Sequence, residues 1–316
     1  MKKVLIPILF LLLQTAKIMA LPQHPFVLIL GTAQDAGYPQ AGCTKVCCKQ
    51  AWQTDSLRQY PTCFAVADPA SKTWLLFEAG PNLKEQLQLF NTLTNNAYTY
   101  LPQAIFITHA HIGHYLGLAQ LGREVMNTKD MPVYVLPRLQ LFLQNNGPWS
   151  QLVSLHNIAL KPLDTATVNT FFTGNNTVNI TCFTVPHRDE FSETAGFDIS
   201  INAKHLLFIP DIDKWEKWPT SIVAKVQNPT CFAALLDATF YNENDLPGKR
   251  ISQVPHPFVT ETMALFNNSD ALTKSKIYFI HFNHTNPLLY NPSAAAAVKQ
   301  QAYHIAKQGQ LLTLQP

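Results

Sequence analysis

Four short apolar runs of this chain each stop at a side chain of metal-ligand type. Ala104 to Ile107 (AIFI) runs into Thr108-His109, Thr177 to Val185, which alternates weakly, into Pro186-His187, His205 to Ile209 (HLLFI) into Pro210-Asp211, and Lys276 to Ile280 (KIYFI) into His281. Their length and β-favouring composition predict buried strands. Strand ends are rigid while the loops leaving them are open, so groups far apart in sequence can converge there. Further strands are predicted at Phe26 to Leu30, Trp74 to Phe77, Pro132 to Leu136 and Cys231 to Leu236. Helices are predicted between them, at Leu83 to Leu93, Leu116 to Thr128, Leu139 to Asn145, Val259 to Phe266 and Ala294 to Lys307. This mixed order describes an α/β sandwich with sheets inside and helices outside.

Composition sets limits on partners. Of 316 residues, 47% are apolar and 14% charged, which supports a large core and argues against disorder. The net charge of +3 comes with no dense Lys/Arg block, so no nucleic-acid surface is expected, and a small-molecule substrate is. Residues 1–20 differ from the rest: Lys2 and Lys3 precede an unbroken apolar run from Val4 to Leu13, and small residues follow at Ala16 and Ala20. That run is shorter than the ~20 residues that span a bilayer and matches a secretory signal. Residues 1–20 are therefore expected to be a signal peptide cleaved near Ala20, leaving residues 21–316 as an exported domain, periplasmic or secreted. No cysteine sits at the cut, so no stable membrane anchor is expected after cleavage.

The densest chemistry lies in THAHIGHYLGL, Thr108 to Leu118, where three of the eleven histidines fall within six residues. His109 and His111 are two apart on a loop leaving a strand, and His114 follows where a helix begins. Neutral imidazole is the commonest protein metal ligand, and a catalytic metal site needs about three protein ligands and an open position. There is no GxSxG elbow and no phosphate-binding P-loop.

The order of these motifs resembles the metallo-β-lactamase superfamily, which carries H-x-H-x-D-H after a strand, then a lone His, a bridging Asp and a final His. Here these are His109, His111 and His114, then His187 in VPHRDE, Asp211 in FIPDID and His281 in FIHFNHTNP. The resemblance implies a four-layer αββα sandwich. It implies one metal held by His109, His111, His187 and Asp211, and a second by His114, His281 and the shared Asp211. Within the superfamily the chain is most similar to the pyrroloquinoline-quinone (PQQ) biosynthesis protein B family. The matching segments are LGTAQDAGYPQAGC (Leu30 to Cys43), Leu116 to Glu124, VPHRDEFSETAGF (Val185 to Phe197), LLDATFY (Leu235 to Tyr241) and HFNHTNPLL (His281 to Leu289). Phosphonate-operon cyclic phosphodiesterases and tRNA 3′-processing endonucleases are more distant relatives. One departure matters: the motif's Asp is Gly113 here, so a second metal is expected to bind weakly or not at all unless Asp213 or Tyr115 substitutes.

Cys43, Cys47 and Cys48 follow the DAGYPQAG loop. The resemblance implies that they hold a structural zinc with His284, three residues after the final active-site His. Adjacent cysteines seldom ligate one zinc together, so one of the pair is expected to stand idle. A disulfide and free thiols are the alternatives, because export favours oxidation. Cys63, Cys182 and Cys231 read as core residues. Asn283-His284-Thr285 fits a glycosylation pattern but lies inside this ligand loop. Glu78 is expected to hold a loop, Arg188, Asp189 and Glu190 to support the His187 ligand, Asp237 to buttress a histidine, and His256 to line the pocket or be an ordinary loop residue. His24, His156, His205 and His304 have no partner pattern.

Three functions fit. The first is a hydrolase in which a metal-bound hydroxide attacks a phosphodiester or a related ester, amide or lactone, with Asp211 and His114 as candidate catalytic residues. The second is an iron-dependent oxygenase or hydroxylase related to PQQ biosynthesis. The third is a metal-stabilised binding protein without turnover. Zinc is the expected active-site metal, as one or two ions, with iron or manganese as alternatives.

Overall fold

In the computed structural model, residues 21–173, 176–246, 248 and 254–313 are described. The signal-peptide segment, residues 1–20, lies outside them. No helix among the described residues is long and apolar enough to cross a membrane.

The first half of the chain builds one sheet from β1 (Phe26–Gly31), β2 (Cys63–Asp68), β3 (Thr73–Phe77), β4 (Ala104–Phe106), β5 (Met131–Val135) and β6 (Ile158–Pro162). The second half builds another from β7 (Asn169–Thr173), β8 (Asn176–Val185), β9 (Thr194–Ile201), β10 (Lys204–Ile209), β11 (Cys231–Asp237), β12 (Ile277–Ile280) and β13 (His304–Ile305). The last strand, β14 (Leu311–Thr313), returns to pair with β1, giving orders β14-β1-β2-β3-β4-β5-β6 and β13-β12-β11-β10-β9-β8-β7. The helices are α1 (Val46–Gln53), α2 (Leu83–Leu93), α3 (Ile112–Tyr115), α4 (Pro137–Asn145), α5 (Trp149–Ser154), α6 (Ile222–Gln227), α7 (Val259–Leu265), α8 (Ala271–Lys274) and α9 (Pro292–Gln300).

Three apolar layers show the four-layer αββα order. Strand side chains alternate faces, so β1 sends Phe26, Leu28 and Leu30 outward against α2 and Val27 and Ile29 inward between the sheets. All six β1 residues are buried, which is why its sequence is a continuous apolar run. A ladder of rings crosses the middle layer: Phe64 stacks on Phe77 at 4.5 Å, Phe77 on Phe106 at 4.9 Å and Phe106 on Tyr134 at 4.7 Å. Phe208 and Phe197 from the other sheet meet this ladder edge-on. The third layer packs β10, β11 and β12 under α6, α7 and α9 through Ile209, Leu236, Val226, Val259 and Val298.

Some helix expectations need correction. Leu116 to Thr128 is not one helix: a single turn of α3 passes into a 3-10 stretch, Leu116–Leu121, and then into turns. The Gly117 N–H donates to Ala79 O at 2.8 Å rather than continuing an α-helical ladder. A Cβ on Gly117 would stand 2.1 Å from Gly80 O, so this close approach requires glycine. The Ala294 to Lys307 helix ends at Gln300, and the chain then enters β13. Helix α1 was unexpected because its buried residues, Cys47, Cys48 and Ala51, form no recognisable apolar stripe.

Candidate metal centre

Strands β3, β4 and β5 run parallel, as do β10, β11 and β12, and β8 and β10 are both antiparallel to β9. The C-terminal ends of β4, β8, β10 and β12 therefore share one edge of the sandwich, where crevices form outside the ends of parallel strands. Two contacts join the sheets there: Ala195 N donates to Thr108 O at 3.0 Å, and Ala110 N to Ser192 Oγ at 2.9 Å.

His109, His111, His187 and Asp211 meet at this edge with one ligand atom each inside a 4.8 Å cluster. His109 Nε2 lies 2.8 Å from His111 Nδ1, His187 Nε2 lies 3.3 Å from His111 Nδ1, and the Asp211 oxygens lie 3.4 Å from His109 Nε2 and 3.3 Å from His187 Nε2. A tetrahedral zinc with Zn–N of about 2.0–2.1 Å puts its ligand atoms ~3.3 Å apart, close to this spacing. Thr108 Oγ1 holds the far nitrogen of His109 at 2.8 Å, and Glu190 Oε2 holds that of His111 at 3.1 Å. Such partners fix ring orientation in metal sites.

His114, Asp211 and His281 form a second set. Glu78 Oε1 lies 3.4 Å from His114 Nδ1, and Thr239 Oγ1 lies 3.0 Å from His281 Nδ1. The Nε2 atoms of His114 and His281 are buried and have no hydrogen-bond partner. Buried polar atoms are nearly always satisfied, so two such nitrogens facing a shared carboxylate fit a cation. Glu78 and His281 also hold left-handed backbone, φ 73° and 68°, which is costly for residues other than glycine and concentrates at functional sites.

Electrostatics support the same reading at three of the imidazoles. Burial pushes the imidazoles of His109, His111 and His281 down, His109 and His281 well below the usual range, which favours the neutral ligand form. Burial would raise the Asp211 carboxyl, but the imidazoles around it, His187 first and then His256 and His281, hold it well below the carboxylate range. Burial also opposes charge on His114, yet the Glu78 carboxylate and then Asp211 bring it up to about 9.

Three residues join the site that sequence reading did not place there as ligands or proton carriers. His256 is no ordinary loop histidine: it is buried, with Nδ1 2.9 Å from Asp237 Oδ2, 3.1 Å from Asp211 Oδ1 and 3.2 Å from Thr239 Oγ1. Burial disfavours its charge, but Asp237 and Asp211 raise it to about 10. Asp237 is thus its buttress. Asp35 lies against Gly113, accepting from its N–H at 3.3 Å. Ser192 sits in the FSETAGF segment and ties the sheets together. Neither substitute expected for the missing motif Asp faces this centre. Asp213 pairs with Lys217 Nζ at 2.7 Å, and Tyr115 packs its ring on Phe142 and Trp149.

Cys43, Cys47, Cys48 and His284 also converge, the adjacent pair included. Sγ of Cys47 lies 3.8 Å from that of Cys43 and 4.0 Å from that of Cys48, and His284 Nδ1 lies 3.7 Å and 3.4 Å from Cys47 and Cys48. A tetrahedral zinc with Zn–S of about 2.3 Å predicts edges of ~3.8 Å between sulfurs and ~3.5 Å to nitrogen. The six cysteines are free thiols, and 3.8 Å is far from the ~2.05 Å of a disulfide. Burial pushes the Cys48 thiol up to about 12, so a cation is needed to draw off its proton. Asn283, in the glycosylation pattern, donates to Gln34 Oε1 at 2.7 Å inside the same loop system.

Residues 73–282, more than half of the chain, match the model of a beta-lactamase superfamily domain. The chain is 24% identical to coenzyme PQQ synthesis protein B of Methylorubrum extorquens strain PA1, over 91% of this chain and 99% of that protein. Its fold is similar to that of zinc-bound PqqB from Methylobacterium extorquens, with a TM-score of 0.69, 23% identity and coverage of 92% and 100% of the two chains. It is also similar to a diphosphatase from the PhnP family, with a TM-score of 0.60, 16% identity and coverage of 91% and 96%.

Proposed function

The chain belongs to the metallo-β-lactamase superfamily, and on that premise we propose that it is a metal-dependent hydrolase of a small phosphodiester or related ester. The observation that carries this reading is the convergence of His109, His111, His187 and Asp211 at one sandwich edge, beside two unpartnered imidazole nitrogens. A cation bound there would polarise the substrate and lower the pKa of a coordinated water from 15.7 to roughly 7. The chain's own groups supply the rest. Asp211 is buried and ionised, with nitrogens of His109 and His187 at 3.4 and 3.3 Å, so it would accept a hydrogen bond from the attacking water and orient it. His256 directs Nδ1 at Asp237 with Asp211 3.1 Å away, and these two carboxylates keep it protonated, which suits it to supply a proton to a leaving oxygen. His114, a candidate catalytic residue from the sequence, serves better as a ligand held by Glu78. The similarity to a PhnP-family diphosphatase supports a phosphorus ester as substrate class.

The same reading includes a structural zinc on Cys43, Cys47, Cys48 and His284, and export directed by residues 1–20. A second reading is an iron-dependent oxygenase step related to PQQ synthesis; its link to that synthesis is the similarity to coenzyme PQQ synthesis protein B over 91% of the chain.

Release of nitrophenol from bis(p-nitrophenyl) phosphate tests the proposal, with zinc and iron counted per chain. Loss of a group that merely orients a ligand costs ~10–100-fold, so His187→Ala is expected to lose ~100-fold or more. Full metal loading with no ester turnover would overturn hydrolysis, and iron with substrate-dependent oxygen uptake would establish the second reading.

A further inference from the structure

The first ligand set has four members and the second only three, one of them shared. The residue before His114 is Gly113, which has no side chain to offer. What lies against it instead is the loop from Gly31 to Tyr38. A Cβ on Gly113 would stand 2.4 Å from Asp35 Cα and 2.7 Å from Asp35 Oδ1. The Asp35 carboxylate thus occupies the space into which a side chain at position 113 would project, and its backbone forbids any side chain there.

The loop is fixed in that position. Gln34 N donates to Phe282 O at 2.9 Å and Phe282 N to Thr32 O at 2.8 Å, so the loop is laced to the residue after His281. Asn283 Nδ2 reaches Gln34 Oε1 at 2.7 Å. Asp35 is therefore placed between the loop of one second-set ligand, His281, and the loop of the other, His114. Its backbone φ of 25° is left-handed, a conformation that asparagine and aspartate tolerate best among residues with a side chain.

We propose that Asp35 is a ligand of the second cation, completing the set His114, Asp211 and His281 from the N-terminal loop. Binding exchanges the 3.3 Å contact with the Gly113 amide for the cation. A carboxylate added to two imidazoles and a shared carboxylate gives a mixed N/O set that zinc, iron and manganese all accept. Gly113 and Asp35 are then two halves of one solution: the carboxylate has moved to another loop, and the glycine makes room for it. The same loop leads to Cys43, so the cysteine–histidine cluster braces the segment that carries Asp35.

The inference rests on the metal-centre reading, and a zinc titration separates the two. Chelator-stripped protein is titrated with zinc by calorimetry, for the parent, Asp35→Asn, Asp35→Glu and His281→Ala. The parent is expected to show one more binding event than His281→Ala. Asp35→Asn, nearly identical in shape, weakens that same event ~10–100-fold and leaves the others unchanged, while Asp35→Glu recovers it at least in part. Parent-like binding by Asp35→Asn, equal loss in the Asn and Glu variants, or a parent no different from His281→Ala would each overturn the role of Asp35. A parent that takes up no zinc at either histidine set would overturn the metal centre itself.

Discussion

His114 and His256 are wholly buried yet hold raised pKa values, about 9 and about 10, because each faces carboxylates: Glu78 and Asp211 for the first, Asp237 and Asp211 for the second. A group whose folded pKa is raised contributes stability that is fully present below its unfolded value, ~6.5 for histidine, and is lost as pH rises through the folded value. In the presence of chelator, the urea midpoint is therefore expected to fall between pH 6.5 and pH 10, and a flat or rising midpoint would contradict these pairings. The depressed Asp211 acts at the other end, its contribution present above ~3.9 and lost in acid. At this scale, a ligand was legible where it closed an apolar strand. His109, His187, Asp211 and His281 all do so. Asp35 follows Thr32, Ala33 and Gln34 after β1 with no ligand spacing of its own, and His256 stands alone in VPHPF. Each joins the site through contacts made only in three dimensions, Asp35 through Gly113 and His256 through Asp237.

Among the elements, the strands that end at ligands matched expectation within a residue or two, because runs such as AIFI and HLLFI are apolar on both faces and break sharply. Strand β9, Thr194–Ile201, was missed because it begins inside the motif-like segment FSETAGF, which reads as a loop. The helix after His114 was overestimated, since periodicity shows apolar residues but not that the Gly117 amide is claimed by Ala79. The ring ladder across β2, β3, β4 and β5 centres on Phe77, which touches Phe64, Phe106, Phe197 and Phe208. Phe77→Ala should cost about 3–5 kcal/mol in urea unfolding, with zinc stoichiometry unchanged in the folded fraction. A loss under 1 kcal/mol would show that the middle layer repacks.

Over the whole molecule, the two halves of the chain each supply a sheet and each supply half of the ligands. His109, His111 and His114 come from the first half, His187, Asp211 and His281 from the second, and β14 ties the last residues back to the first strand. A cation at the shared edge would link both sheets, as Ala195 and Ser192 already do through hydrogen bonds. Anomalous scattering at the zinc edge, from crystals of zinc-loaded protein, tests this arrangement most directly. A peak about 2.0–2.2 Å from His109 Nε2, His111 Nδ1, His187 Nε2 and an Asp211 oxygen is the expected result. Crystals with zinc bound only at the cysteine cluster, or with these imidazoles turned away from Asp211, would contradict it.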